Sequence, residues 1–402
     1  MKALILTNEY PPRIYGGAGV HVQYLTRELT KFLEVEVRCF GDQLIHSKNL
    51  TATGFGLVSA AYTCPEPLRP AFGALQRCLD FNTTRIEADI VHCHTWYSHW
   101  GGILAKLNYG LPLVVTVHSL EPLRPWKREQ LGGAYDFTCW LEKTALEMAD
   151  AVIAVSEETA RDVRRLFAVD PAKVHVIYNG IDLAEYRPVE SKAALKRLGV
   201  NPVEPYVLFV GRITRQKGIL HLANAVKYLN PGMQVVLCAG APDTPEIAAE
   251  MKQAVAAAES AHGNVVWIEE MVDNKSKIEL YSNAGVFVCP SVYEPFGIIN
   301  LEAMACGTAV VATNTGGIKE VVVHGETGYL VPVECDGARL FEPNNPDRFS
   351  RDLAARINEL MADPAKRGAF GRAGRKRAES VFGWEAIARK TADLYSSVVG
   401  AR

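Results

Sequence analysis

The chain predicts an α/β fold built from two tandem Rossmann-like domains. Three observations carry that expectation. At 402 residues it is too long for one ordinary hydrophobic core. Short apolar, β-branched runs alternate with helix-like stretches along its length, the mark of a doubly wound parallel sheet. The alternation also comes in two series, joined near the turn Asn179-Gly180-Ile181-Asp182, with Arg187-Pro188 just beyond.

In the first series the apolar runs place strands at 3–6, 35–38, 90–92, 113–117, 152–155 and 174–177, with helices over 21–32 and 137–148 among them. The second series places strands at 206–210, 235–239, 265–267, 286–289, 309–312 and 329–331. Helices over 218–229, 244–261 and 299–305 fall between them. Past residue 345 helical stretches dominate, the last over 384–399.

Composition narrows the classes. Apolar residues make up 48% and charged residues 22%, which fits a globular chain and excludes a disordered or fibrous one. A formal net charge of −2 offers no basic excess for a nucleic-acid partner. No apolar run reaches the roughly 18 residues that a membrane span needs. The N-terminus reads as a first buried strand and lacks the length of a signal peptide. Nine scattered cysteines, odd in number and without a Cys-x-x-Cys pair, point to a reducing, cytoplasmic setting.

The most informative stretch runs from Pro290 to Gly307. A buried strand, 286–289, stops at Pro290, and the loop Glu294-Pro295-Phe296-Gly297 leads into a helix. Strand end, glycine and helix start aim free N–H groups and a positive dipole at one spot. Glu294 and Glu302 bracket it. A ligand there should carry an anion and several hydroxyls, which describes a sugar nucleotide. On the loop between Gly211 and Gly218, Arg212 and Lys217 stand five positions apart and can converge on a diphosphate, or form a merely solvated loop.

Other sites are more open. Gly16, Gly17 and Gly19 precede a helix and could bring N–H groups to a phosphate. They lack the G-x-G-x-x-G spacing, which disfavours a dinucleotide dehydrogenase. His92 and His94 share a strand face, a start for a metal site, with no further ligand nearby in sequence. His94, Trp96 and Tyr97 at a strand's carboxyl end are expected to face a cleft, where aromatics stack on sugar rings. His118 after an apolar strand reads, by itself, as structural. Arg124, Lys127 and Arg128 around Trp126 either grip a phosphorylated acceptor or form a solvated basic loop. The glycines of 314–320 either approach ligand or turn the chain. No Asp-x-Asp exists, which argues against the manganese-dependent transferase design.

Glu294 and Glu302 form an E-x7-E pair, and with Glu-Pro-Phe-Gly and Leu-Glu-Ala-Met-Ala-Cys-Gly around them the stretch resembles the signature of retaining glycosyltransferases of family 4. Gly-Arg-x4-Lys-Gly and the Asn-Gly-Ile-Asp joint match as well, and the resemblance spans essentially the whole chain. Within the family, His118-Ser-Leu-Glu-Pro-Leu-Arg-Pro-Trp-Lys127 resembles the short, actinobacterial-type glycogen synthase branch. The resemblance implies a GT-B fold with the site in the interdomain cleft. It implies domains at 1–182 plus 384–402, the last helix crossing back, and at 183–383. The implied donor is ADP-glucose or another NDP-glucose, and no cofactor or metal is required. It gives Arg212 and Lys217 the leaving diphosphate and Gly16 and Gly17 the same group from across the cleft. Glu294 with the N–H groups of Gly297, Ile298 and Ile299 would hold the glucose, Glu302 the ribose, and His118 the anomeric centre. Residues 267–272 lie where the family holds the nucleobase. The long bacterial synthases carry a lysine at the position of Ile14, a departure that leaves the donor contacts and acceptor open. The expected acceptor is an α-1,4-glucan. The alternative is glucose 1-phosphate, giving maltose 1-phosphate, and outside the class stands a non-catalytic nucleotide-sugar-binding protein. Assembly into a homo-oligomer is left open.

Overall fold

A computed structural model describes residues 1–56, 62–335 and 342–401. The chain divides into two compact units. The first takes Met1–Gly180 and the chain from Trp384 onward; the second takes Ile181–Gly383.

Among the described residues, the first unit carries an eight-stranded sheet of β1 (Lys2–Thr7), β2 (Glu34–Phe40), β3 (Leu44–Ser47), β4 (Leu50–Phe55), β5 (Ile90–His94), β6 (Leu113–Val117), β7 (Ala151–Ala154) and β8 (Val174–Val176). Their order is β3-β4-β2-β1-β5-β6-β7-β8, and every pairing but β3–β4 is parallel. Central strands such as β6 and β7 are buried along their whole length, which is why they read as largely apolar runs. The β3–β4 hairpin was not expected. It lies at the sheet edge, β3 is largely exposed and β4 mostly half-buried, neither forms a continuous apolar run, and the turn between them holds Asn49 at φ +60°. The last helix, Trp384–Gly400, buries Trp384, Ile387, Ala388, Leu394 and Tyr395 in one core with Val22, Tyr24 and Leu25 of the Gly17–Leu29 helix.

The second unit carries β9 (Tyr206–Arg212), β10 (Gln234–Gly240), β11 (Val265–Ile268), β12 (Val286–Cys289), β13 (Ala309–Thr313) and β14 (Gly328–Val331). Among the described residues they form a six-stranded parallel sheet in the order β11-β10-β9-β12-β13-β14, the doubly wound nucleotide-binding arrangement. Among the described residues no helix is long and apolar enough to cross a membrane.

Candidate active site

In the second unit the strand order reverses between β9 and β12, so the loops leaving their carboxyl ends lie side by side. Arg212 ends β9 and is held by Asp243, Nη1 to Oδ1 at 2.7 Å. Thr214 then accepts the Lys217 N–H at 3.2 Å and closes a tight turn. Gly218 follows at φ +61°, where a Cβ would lie 2.9 Å from the carbonyl carbon of Pro290. Only glycine lets the two loops approach this closely. The Val292 N–H donates to the Gln216 carbonyl at 3.0 Å. Lys217 Nζ thereby reaches Glu294 Oε2 at 2.6 Å, and Ser291 Oγ donates to the same oxygen at 3.3 Å. The structure brings Lys217 and Glu294 together; the Arg212 guanidinium is directed to Asp243.

A third loop braces the Glu294 loop from the other side. The Gly317 N–H donates to the Glu294 carbonyl at 2.9 Å, and Thr315 Oγ1 to the Val292 carbonyl at 3.4 Å. This assigns the glycines of 314–317, which sequence left open, to positioning Glu294. Gly297, at φ +98°, opens the Ile298–Ala305 helix; the Asn300 N–H turns back to the Gly297 carbonyl at 3.0 Å, and the N–H groups of Ile298 and Ile299 precede that first helical bond. Glu302, one turn further in, is buried and already occupied. Its Oε1 accepts from Tyr186 Oη and Lys277 Nζ, both at 3.0 Å, and its Oε2 from Tyr281 Oη at 2.9 Å. Asn300 was not singled out from sequence. It is fully buried, and neither amide atom has a hydrogen-bond partner among the described residues.

In the first unit the strand order reverses between β1 and β5, with β6 next to β5. The glycine turn after β1 is already satisfied by an anion of its own. The N–H groups of Tyr15 and Gly16 both donate to Glu9 Oε2 at 2.8 Å. Gly17 is the first residue of the following helix.

Two aromatic expectations are corrected. His94 is fully buried, and Trp96 is only 3% exposed, its ring stacked on Tyr97 at 4.0 Å. Trp96 opens the Trp96–Tyr109 helix facing inward, so neither residue presents a face to a sugar; Tyr97 is half-buried. The buried His94 instead meets His118, Nδ1 to Nε2 at 3.0 Å. The ring of His21 stands edge-on to that of His118, centroids 4.7 Å apart, and His21 Nδ1 bonds Asn179 Oδ1 at 2.7 Å. His92 is engaged at both nitrogens, by Tyr395 Oη at 2.6 Å and Thr116 Oγ1 at 2.7 Å.

The basic loop is not simply solvated. Lys127 Nζ pairs with Glu121 at 2.9 Å with little exposure, and Arg124 reaches Ser119 Oγ at 3.3 Å and Glu121 at 3.5 Å. Glu142 accepts the Glu121 N–H at 2.8 Å. Arg128 alone lies on the surface, paired with Asp136 at 2.6 Å. Burial, then the neighbouring Glu121 carboxylate, pushes the Glu142 carboxyl well above its usual range.

Burial holds His21 down to about 4 and His92 and His99 to about 3, and puts His94 and His118 well below 6.5. The unfolded chain therefore takes up protons on these rings that the folded unit refuses. Their contribution to stability is complete above about 6.5 and is lost as pH falls through about 4 toward 3. Glu142, with a raised value, acts in the opposite sense. Of the second unit's histidines among the described residues, only His221 is depressed, to about 4. The first unit is expected to lose hydrogen-exchange protection before the second between about pH 6 and 4. Simultaneous loss would contradict the histidine account.

Known proteins match along the whole chain. The profile of Glycosyltransferase Family 4 covers residues 15–185 and that of Glycosyl transferases group 1 covers 191–377. The chain belongs to glycosyltransferase family 4 and has the GT-B fold of two Rossmann-like domains; it is a glycosyltransferase. It is 47% identical to the alpha-maltose-1-phosphate synthase of Mycolicibacterium smegmatis, over 99% of this chain and 100% of that one. The protein of the same name from Mycobacterium tuberculosis is 45% identical, with the same coverage. Among solved structures, the sucrose-phosphate synthase of Thermosynechococcus elongatus superposes with a TM-score of 0.81 at 26% identity, covering 100% of both chains.

Proposed function

We propose that this enzyme transfers glucose from ADP-glucose, or a similar NDP-glucose, to glucose 1-phosphate and so makes maltose 1-phosphate. The observation that carries this reading is the 47% identity, end to end, with an alpha-maltose-1-phosphate synthase. It favours the phosphorylated acceptor over the α-glucan that the glycogen synthase resemblance puts first. The reading assigns the donor to the second unit. Arg212 and Lys217 offset the charge that grows on the departing diphosphate, and Glu294 with the N–H groups of Gly297, Ile298 and Ile299 holds the glucose hydroxyls. Asn300 offers an unpaired amide beside them. Glu302 takes the ribose through whatever acceptor capacity Tyr186, Tyr281 and Lys277 leave.

In the first unit His118 lies against the anomeric carbon and Arg124 draws the acceptor phosphate. Lys127 joins it only by giving up Glu121. Gly16 and Gly17 contribute to the diphosphate once Glu9 releases their turn. The bond from the anomeric carbon to the diphosphate oxygen breaks as the acceptor hydroxyl oxygen bonds to that carbon. The hydroxyl proton passes to the departing phosphate oxygen, on the same face, and the configuration is retained. Protein cations carry the leaving-group charge, so turnover is expected to persist in EDTA. Nine free cysteines suit a cytoplasmic setting.

The test incubates the enzyme with ADP-glucose and either glucose 1-phosphate or a glucan, and weighs the products. Maltose 1-phosphate as the main product is expected. Glucan extension with glucose 1-phosphate untouched would return the function to glycogen synthesis, and binding of ADP without turnover would make the protein a non-catalytic binder.

A further inference from the structure

His21, His94 and His118 come from a helix and two strand ends far apart in sequence, yet each offers a ring nitrogen within 4.8 Å of the others. Two features set this cluster apart from a set of core histidines. His21 donates its Nδ1–H to Asn179 Oδ1 at 2.7 Å, which fixes the tautomer and leaves Nε2 as a lone pair; among the described residues that Nε2 has no partner. A ring nitrogen oriented from behind by an oxygen acceptor is how metal-binding histidines are held. His94 Nε2, buried and without a partner among the described residues, can take up the ring proton and leave Nδ1, which faces His118, as the ligand. The 3.0 Å between His94 Nδ1 and His118 Nε2 is close to the spacing of about 3.3 Å that two nitrogens adopt on one tetrahedral ion.

We infer that His21, His94 and His118 form a binding site for one borderline divalent transition ion of the zinc type. The ion takes the place of the His94–His118 hydrogen bond, the proton of that bond moving to the other nitrogen of its own ring, so no proton is released. His92 stays outside the coordination sphere because Tyr395 and Thr116 occupy both its nitrogens. His118 is only half-buried, so its side is the route of entry and the place for a water as fourth ligand. The ion is inhibitory, since it removes His118 from the reaction; this corollary rests on the function proposed above.

Cobalt(II) titrated into EDTA-stripped protein reads the site without substrates. One equivalent should give the intense visible bands of tetrahedral cobalt, which zinc then displaces. His21→Gln should weaken binding roughly tenfold or more. If that variant fails to fold, His118→Asn, read for cobalt alone, should do the same. No visible bands in the unmodified protein, or bands that survive both substitutions, would overturn the site. Zinc should also abolish turnover and EDTA restore it. Full activity with the cobalt site filled would overturn the place of His118 at the anomeric carbon and leave the metal site standing.

Discussion

Lys217→Ala is expected to lower kcat by roughly 10²–10³-fold, the range seen when one fixed electrostatic contact to developing charge is removed. The geometry says why a single lysine should matter so much. Its ammonium lies 2.6 Å from Glu294 Oε2, on a turn tied by Thr214 and pressed against the Pro290 carbonyl, so little reorganisation is needed as the diphosphate leaves. Glu294→Ala should cost a similar amount, because each group holds the other in place. The double variant should then be worse than either single one by less than about tenfold, the non-additivity of groups that act as a unit. A purely structural ion pair predicts something else: altered thermal stability with kcat within about threefold of the parent. Steady-state kinetics on the three variants, with melting temperatures alongside, separates the two. Retained turnover in Lys217→Ala would remove the centre of the proposed mechanism.

How far the sequence reached can be judged from particular residues. The strands of both sheets were legible because both faces are covered, which leaves unbroken apolar runs such as Val286-Phe287-Val288-Cys289. The β3–β4 hairpin escaped because an exposed edge has no such constraint. At the site, the acids and cations could be singled out from type and spacing, but their partners could not. Nothing near Arg212 points to Asp243, and nothing near Glu302 points to Tyr186, since these contacts close loops far apart in the chain. Glu9 shows the same limit at short range. Its carboxylate takes the N–H groups of the glycine turn, and a glycine-rich sequence does not say whether its anion is a ligand or its own side chain. Its position at a strand's carboxyl end predicts that Trp96 faces a cleft; the inward start of its helix buries it. The Asn314–Gly317 segment needed the opposite correction, from an undecided turn to the brace behind Glu294.

That brace gives the second large effect. Gly316→Ala is expected to cut activity by roughly 10²-fold, the scale on which a small misplacement of a catalytic group acts. It should also destabilise the second unit by about 3 kcal/mol, from left-handed strain together with overpacking. Gly316 has φ +50°, and a Cβ there would lie 2.8 Å from the carbonyl carbon of Glu294 and nearer still to its oxygen. Backbone cannot swing aside as a flexible side chain would, so the Glu294 loop must move or the 314–317 turn must open. Either change breaks the Gly317 N–H bond to the Glu294 carbonyl and draws the carboxylate away from Lys217. A loss of about 3 kcal/mol should appear as a fall of roughly 6–12 °C in the melting of a unit this size. Gly325→Ala is the control. Its φ of +78° carries the same backbone penalty, but nothing lies within 4 Å of the added carbon, so it should lose some stability and keep its activity. If the two variants matched in turnover, the contact with Glu294 would have no catalytic role, and backbone strain alone would account for both.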